Sequence, residues 1–243
     1  MNRTTPETSS RLKALVIATP LLGPAARTIA RIPIIKELRH SLRFQGSSSY
    51  WKQRYQEGGS SGPGSAGKLA QFKAEVLNEF VARNRVQSVI EFGCGDGVQL
   101  GLARYPRYVG VDVAEGSVIN CRRKFASDST KSFYLADQIP SNLGQFDLVL
   151  SLDVIFHLVE TRVFEAYMRS LFVNAGRFVV IYSSNKASVG EAPHVRHRQF
   201  TRWIETHQPE WQMTAHIPNR YPFDPAHPDD TSFADFYFFE RRG

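Results

Sequence analysis

The sequence predicts an α/β chain: a doubly wound, mostly parallel sheet of seven strands, an antiparallel C-terminal edge pair and a helical N-terminal extension. Three observations predict it. From residue 68 onward, short apolar runs alternate with stretches of helical periodicity, as strands linked by crossover helices do. The first run ends in Gly93-Cys94-Gly95-Asp96-Gly97, a glycine-rich turn. After residue 200 the pattern changes, and two strand-like runs follow with no long helix between them.

Residues 68–84 carry Leu69, Phe72, Val76, Leu77, Phe80 and Val81 on one helical face. A buried strand over 86–92 follows, then a strand over 108–113 and a helix over 117–125. A short strand spans 133–136, and a strongly apolar one 146–152. A helix over 163–172 leads to a fifth strand over 178–182. The tail reads as a helix over 200–207 and strands over 211–217 and 236–240. The chain thus divides into 1–67, a basic extension ending in a Gly/Ser-rich stretch, and 68–243, the α/β domain.

A length of 243 residues suits one large domain. With 42% apolar and 22% charged residues, the chain is neither a disordered acidic tract nor a membrane bundle. Cys94 and Cys121 cannot build a disulfide framework and have no metal-ligand spacing, so a cytoplasmic, reducing compartment is expected. The net charge of +7 invites a nucleic-acid reading. Residues 1–45, however, hold eight Lys or Arg against two Glu, a net +6, which leaves +1 for the other 198 residues. The body is nearly neutral, so no nucleic-acid partner is expected.

Within the extension, residues 12–22 are apolar apart from Lys13, but Pro20, Gly23 and Pro24 interrupt them, well short of the roughly 20 residues that span a bilayer. Arg3 and Arg11 ahead of an apolar run suit a secretory signal, whereas basic residues continuing to Arg43 do not. Ile29, Ile32, Ile35, Leu38 and Leu42 recur at helical spacing among Arg31, Lys36, Arg39 and Arg43, with Pro33 breaking the run. Such a helix either lies on an anionic membrane surface or packs on its own domain or on a partner subunit, as in a dimer. The aromatic-basic cluster Tyr50, Trp51, Lys52, Arg54 and Tyr55 precedes Gly58-Gly59-Ser60-Ser61-Gly62-Pro63-Gly64-Ser65, which reads as a linker or as a lid over a pocket.

Ligands in such sheets bind beyond the C-terminal strand ends. Glycines at 93, 95 and 97 let the backbone turn sharply and approach a ligand. A nicotinamide-dinucleotide fingerprint places its third glycine at position 98, where Val98 stands, so a nucleotide cofactor without a pyrophosphate fits better. Asp112 ends the second strand, 21 residues after Glu91, where a carboxylate can accept both hydroxyls of a ribose. The third ends at Ala136-Asp137-Gln138, within reach of an adenine amino group.

At these residues the chain resembles the class I S-adenosylmethionine-dependent methyltransferases, which have a Rossmann-like sheet. The resemblance covers 68–183, and the edge strands extend it to the C-terminus. It rests on 89–97 for the glycine motif, Val111-Asp112-Val113 for the ribose acid, Ala136-Asp137-Gln138 for the adenine contact and 147–153, with Leu152, for the fourth strand. It implies S-adenosylmethionine as cofactor, held by Gly93, Gly95, Gly97, Asp112, Val113, Asp137, Gln138 and Leu152. Glu91 would orient the glycine loop or the cofactor's amino group.

Methyl transfer is an in-line displacement that needs alignment, and a hydroxyl acceptor must also lose its proton. Asp153 and His157 stand four residues apart beyond the fourth strand, which on one helical turn gives them a shared face. His157 is the candidate general base, and Asp153 the group that orients it, touches the cofactor or holds a metal. Alternatively, His157 caps the following helix. By the same resemblance, Ser151-Leu152-Asp153-Val154 does not match the Asn/Asp-Pro-Pro-aromatic motif of base amino methylation, and neither a Pro-Cys nucleophile nor a two-glutamate loop is evident.

His194, Arg196, His197 and Arg198 either line an acceptor pocket or form a solvated basic turn. Residues 218–230, with four prolines, read as a rigid loop over the same end of the sheet. His227, Asp229 and Asp230 are ligand types for a divalent metal such as Mg, without a spacing rule to support them. The segment with Tyr50, Arg54 and Tyr55 is similar to that of bacterial methyltransferases acting on carbohydrates or other hydroxylated metabolites, and these residues join His194 and His197 as candidate substrate contacts. The expected activity is methyl transfer to a hydroxyl of a small polar acceptor, a sugar or glycan. The alternatives are an N- or O-methyltransferase of another small metabolite and a non-catalytic S-adenosylmethionine-binding protein.

Overall fold

A computed structural model describes residues 46–189 and 192–243. The expectations for residues 1–45, among them the basic helix and its membrane or subunit contact, lie outside the described residues. The strands are β1 (Ser88–Phe92), β2 (Arg107–Asp112), β3 (Lys131–Leu135), β4 (Phe146–Leu152), β5 (Ala175–Ser183), β6 (Ser188–Val189), β7 (Arg196–His197), β8 (Trp211–Ile217) and β9 (Asp235–Arg241). Seven make one sheet in the order β3-β2-β1-β4-β5-β9-β8, while β6 and β7 pair separately. The first five are parallel, and β9 runs antiparallel to both β5 and β8. This is the Rossmann-like, mostly parallel sheet with an antiparallel edge pair that the sequence predicts.

The helices are α1 (Ser47–Gln56), α2 (Gly67–Arg83), α3 (Glu115–Lys124), α4 (Thr161–Val173) and α5 (Phe200–His207), with single 3₁₀ turns at Pro63–Ser65, Gln99–Leu102 and Ile155–His157. Strand β5 shows why both faces must be covered. Phe178, Val180 and Tyr182 pack with Phe72, Leu77 and Val81 of α2, while Val179 and Ile181 pack with Phe164, Met168 and Leu171 of α4. Alternate side chains of one strand feed opposite cores, and each large apolar side chain so buried stabilises by about 1.5–3 kcal/mol. At the far edge only Trp211 of β8 is buried.

Strand β1 starts two residues later than its apolar run predicts. Arg85 takes φ 51° and the Val86 N–H donates to Val81 O at 3.0 Å, so both residues close the end of α2 instead. Helix α1 has no apolar periodicity to announce it; burial of Tyr50 and Tyr55 holds it. Ser183 of β5 pairs with Asp235 at the start of β9, so the 218–234 loop lies at the C-terminal end of the parallel strands, as expected. No helix among the described residues is long and apolar enough to cross a membrane.

Candidate active site

The site is built where chain order reverses, between β1 and β4, a position that leaves a crevice at the C-terminal strand ends. The backbone leaves β1 through Gly93 at φ 85°, and the N–H groups of Gly93 and Cys94 both donate to Val111 O, at 2.7 and 3.1 Å. A side chain at Gly93 has no room: its Cβ would stand 2.4 Å from Val154 Cγ2. Gly95 follows at φ 58°, its N–H donating to Asp112 Oδ2 at 2.9 Å. The Ala114 N–H donates to Asp112 Oδ1, also at 2.9 Å. Both carboxylate oxygens of Asp112 thus accept backbone hydrogen bonds, and the Val113 N–H and the Ser117 hydroxyl add to the donors that face it. Burial raises its pKa, while these N–H donors pull it back.

Gly93, Asp112, Val113, Ala136 and Val154 line a pocket, together with Ser48 and Trp51 of α1. A more polar pocket adjoins it, sharing Ser48, Val113 and Ala136 and adding Lys52, Gln56, Glu115 and Asp137. Helix α1 crosses both and is fastened at each end. At its start the Ser47 N–H and hydroxyl donate to Glu160 at 2.9 and 2.5 Å. At its end the Tyr55 hydroxyl meets Ser61 Oγ at 2.8 Å. Ser61 lies directly on the glycine loop, where a Cβ at Gly95 would stand 2.3 Å from its Oγ. The Gly/Ser-rich stretch is therefore docked over the crevice.

The candidate cofactor residues do not all reach the pocket. Gly93, Asp112 and Val113 line it and Asp137 lines its neighbour. Gly95 faces Tyr55 and Ser61, and Gly97 packs against Phe125 and Cys121. Glu91 is buried, its carboxylate accepting the Tyr108 hydroxyl at 2.6 Å, and burial pushes its pKa up to about 7. Leu152 is buried in the sheet core and Gln138 is exposed, its N–H bonded to Leu135 O. Beneath the loop lie the free cysteines Cys94 and Cys121, both buried, with Cys121 Sγ 3.2 Å from Gly95 O.

The expectation that Asp153 and His157 share a face of one helical turn is not met. Asp153 takes φ 59°, outside the helical region, and only residues 155–157 form a turn. Asp153 Oδ2 accepts from Lys73 Nζ at 2.6 Å, whereas His157 Nδ1 lies 3.2 Å from His194 O. Burial, with His194 alongside, pushes His157 down to about 3. Its imidazole stands edge-on to Trp51 and parallel to His194, which in turn stacks on Tyr50 with centroids 4.3 Å apart. Arg54 donates to the Tyr50 hydroxyl and to Ser60 O. Tyr50, Arg54, His157 and His194 therefore form one cluster of mutual contacts beside Trp51. His197 is buried elsewhere, 2.6 Å from Ser184 Oγ and against Phe233. Among the described residues no three His, Cys, Asp or Glu side chains are placed to hold a metal ion. Asp230 instead pairs with Lys68 at 3.7 Å.

Sequence reasoning missed Lys73 and Glu160, and it placed Trp51, Ser61 and Asp96 in the aromatic cluster, the possible lid and the glycine loop without giving them individual roles. Lys73 carries a signal in hindsight, a charge interrupting the apolar face between Phe72 and Val76.

Residues 89–185 match a family model described as a methyltransferase domain. Comparison with curated proteins found no match. Among solved structures, the chain is similar to magnesium protoporphyrin IX methyltransferase (ChlM) from Synechocystis PCC 6803 with bound S-adenosylmethionine. The TM-score is 0.58 at 15% identity, over 82% of this chain and 99% of that one. It is also similar to N-methyltransferase NodS from Bradyrhizobium japonicum WM9 in complex with S-adenosylhomocysteine, with TM-score 0.58 at 16% identity, over 72% and 88% of the two chains. A third likeness is to the CurJ carbon methyltransferase, with TM-score 0.51 at 12% identity, over 72% of this chain and 54% of that one. At these identities the likeness is one of fold.

Proposed function

We propose that this chain is an S-adenosylmethionine-dependent methyltransferase acting on a hydroxyl of a small polar acceptor, a sugar or glycan. The observation that carries the cofactor reading is the pocket at the β1/β4 crevice. There a glycine turn that excludes any Cβ, the Asp112 carboxylate and the apolar Val113 and Ala136 meet under Trp51. The methyltransferase-domain match over 89–185 and the cofactor-bound structures of like fold support it.

When bound, S-adenosylmethionine supplies an electrophilic methyl group on a sulfonium. This chain's part is to hold and align. Gly93 and the loop backbone admit the cofactor at close range, Asp112 offers lone pairs to its ribose hydroxyls, and Asp137 stands beside the adjoining pocket for the base. On the acceptor side, Trp51 lines the pocket and offers a ring suited to the apolar CH surface of a sugar, backed by the stacked rings of His194 and the buried Tyr50, with Arg54 bonded to the Tyr50 hydroxyl. His157 stays neutral at physiological pH. If its Nδ1–H donates to His194 O, then Nε2 is an acceptor that aligns a hydroxyl; a conjugate acid with pKa near 3 is too strong to keep the proton. The near-neutral charge of 46–243 supports a small acceptor over a polyanion.

The test is isothermal titration of S-adenosylhomocysteine into wild type and Asp112→Ala, then transfer of labelled methyl to a panel beginning with sugars. Micromolar binding weakened at least tenfold by the substitution upholds the cofactor site, and a folded wild type that does not bind refutes it. Labelling of amines or carbon acids but no sugar refutes the acceptor while keeping the methyltransferase.

A further inference from the structure

Lys73 and Asp153 form an ion pair in a costly place. The Lys73 side chain is 1% exposed, with Nζ 2.6 Å from Asp153 Oδ2 and 5.2 Å from the centroid of the Tyr182 ring. An ammonium is this deeply buried only with a close partner, because taking it out of water is strongly unfavourable. Asp153 is itself strained: with Arg85, it is one of two non-glycine residues at positive φ among the described residues. Its N–H is pinned to Tyr182 O at 2.9 Å. The fold accepts two unfavourable features to set one carboxylate at this point.

The position of that carboxylate suggests why. Asp153 is the first residue beyond β4, one of the two strands that flank the crevice. Val154, next in the chain, packs on Gly93 and lines the pocket. The segment docked over the crevice touches both sides, Ser61 lying on Gly95 while a Cβ at Gly64 would stand 3.4 Å from Asp153 Oδ2. Three residue steps cover at most about 11 Å, so the carboxylate and the glycine loop lie within that reach of one another on the same docked segment, next to the pocket that Val154 lines. Oδ2 is held by Lys73, whereas Oδ1 accepts no hydrogen bond among the described residues, and the side chain is 19% exposed.

We propose that Asp153, held in place by Lys73, is the anionic group set against the positive reacting centre of the bound donor, so that the site reads ligand charge. This rests on the methyltransferase reading above. At a few ångströms in a partly buried site, one charge changes affinity by a measurable factor. The carboxylate favours a cationic ligand over the neutral product and eases product release once the charge is lost.

The test needs no acceptor. Calorimetric affinities are measured for S-adenosylmethionine and sinefungin, which carry a positive centre at the reacting position, and for neutral S-adenosylhomocysteine. Expected for Asp153→Asn is at least a fivefold shift, relative to wild type, in the cation-to-neutral affinity ratio, with the S-adenosylhomocysteine affinity itself within twofold. Because that substitution weakens the partner of a buried lysine, the double variant Lys73→Met/Asp153→Leu, which replaces the pair by apolar side chains, is measured alongside. Because it removes the ammonium together with the carboxylate, it is expected to shift the ratio in the same direction but by less than Asp153→Asn. A ratio unchanged within twofold in whichever variant folds, or equal weakening of all three ligands, overturns the proposal and leaves the methyltransferase reading standing. Absence of S-adenosylhomocysteine binding by folded wild type overturns that reading, and the proposal with it.

Discussion

Ser61 and Asp96 are bound to each other twice: the Ser61 N–H donates to Asp96 Oδ2 and the Asp96 N–H donates to Ser61 Oγ, each at 3.0 Å. A residue of the Gly/Ser-rich stretch and a residue of the glycine loop thus satisfy one another 35 positions apart in sequence. Removing the hydroxyl in Ser61→Ala deletes one of these bonds and the contact with Tyr55. A part-buried hydrogen bond is worth about 0.5–1.5 kcal/mol. The expected result is faster hydrogen exchange over 58–66 and a few-fold weaker S-adenosylhomocysteine binding. Unchanged exchange across that segment refutes the fastening.

Gly93 must remain glycine for two separable reasons, φ 85° and the contact with Val154. Gly93→Ala is expected to cost about 1–3 kcal/mol, read as a lower midpoint in urea. Adding Val154→Ala relieves the collision but not the backbone strain, so it should recover part of the loss. Full recovery would mean the dihedral costs nothing here.

Glu91 gives the fold a pH dependence of uncommon sign. Its folded pKa is raised to about 7 from an ordinary 4.5, chiefly by burial. Between those values the folded chain keeps a proton that the unfolded chain has released, so this group withdraws stability as pH rises through the window. Glu91→Gln keeps an acceptor for the Tyr108 hydroxyl and removes the titration. The variant should melt above wild type at pH 8, with the gap closing toward pH 4.5. A gap independent of pH across that range contradicts the assignment.

His157 works in the opposite direction. Its folded pKa lies near 3 against an ordinary 6.5, because burial and His194 disfavour the cation. Its contribution is fully present above pH 6.5, and stability falls as pH drops from 6.5 toward 3, where only the unfolded chain takes the proton. His157→Asn should flatten that acid limb of the melting curve. In the proposed reaction, His157→Ala should lower turnover at least tenfold and leave S-adenosylhomocysteine affinity within twofold. Turnover equal to wild type would remove His157 from the acceptor site.

The sheet was legible because its signals are local. Apolar runs such as 146–152 and the face of α2 mark buried elements directly, and the glycines of 93–97 announce a turn that side chains forbid. Helix α1 was not legible, since Tyr50 and Tyr55 are held by partners far along the chain rather than by helical periodicity. The pairing of Asp153 failed for a related reason. Spacing of four implies proximity only if the backbone is helical, and at φ 59° the carboxylate turns to Lys73, 80 residues earlier. Glu91 was legible as a strand-end acid, but not as one turned into the core to meet Tyr108.

The two thiols beneath the glycine turn make the molecule its own chemical clock. Cys94 and Cys121 are the chain's only cysteines and both are buried against the backbone that any nucleotide must approach. A thiol-specific reagent can modify them only while that turn is lifted away, so the rate of modification measures how often the floor of the crevice opens. A ligand seated above should slow the reaction in proportion to its occupancy, without a label, a tag or an added reporter.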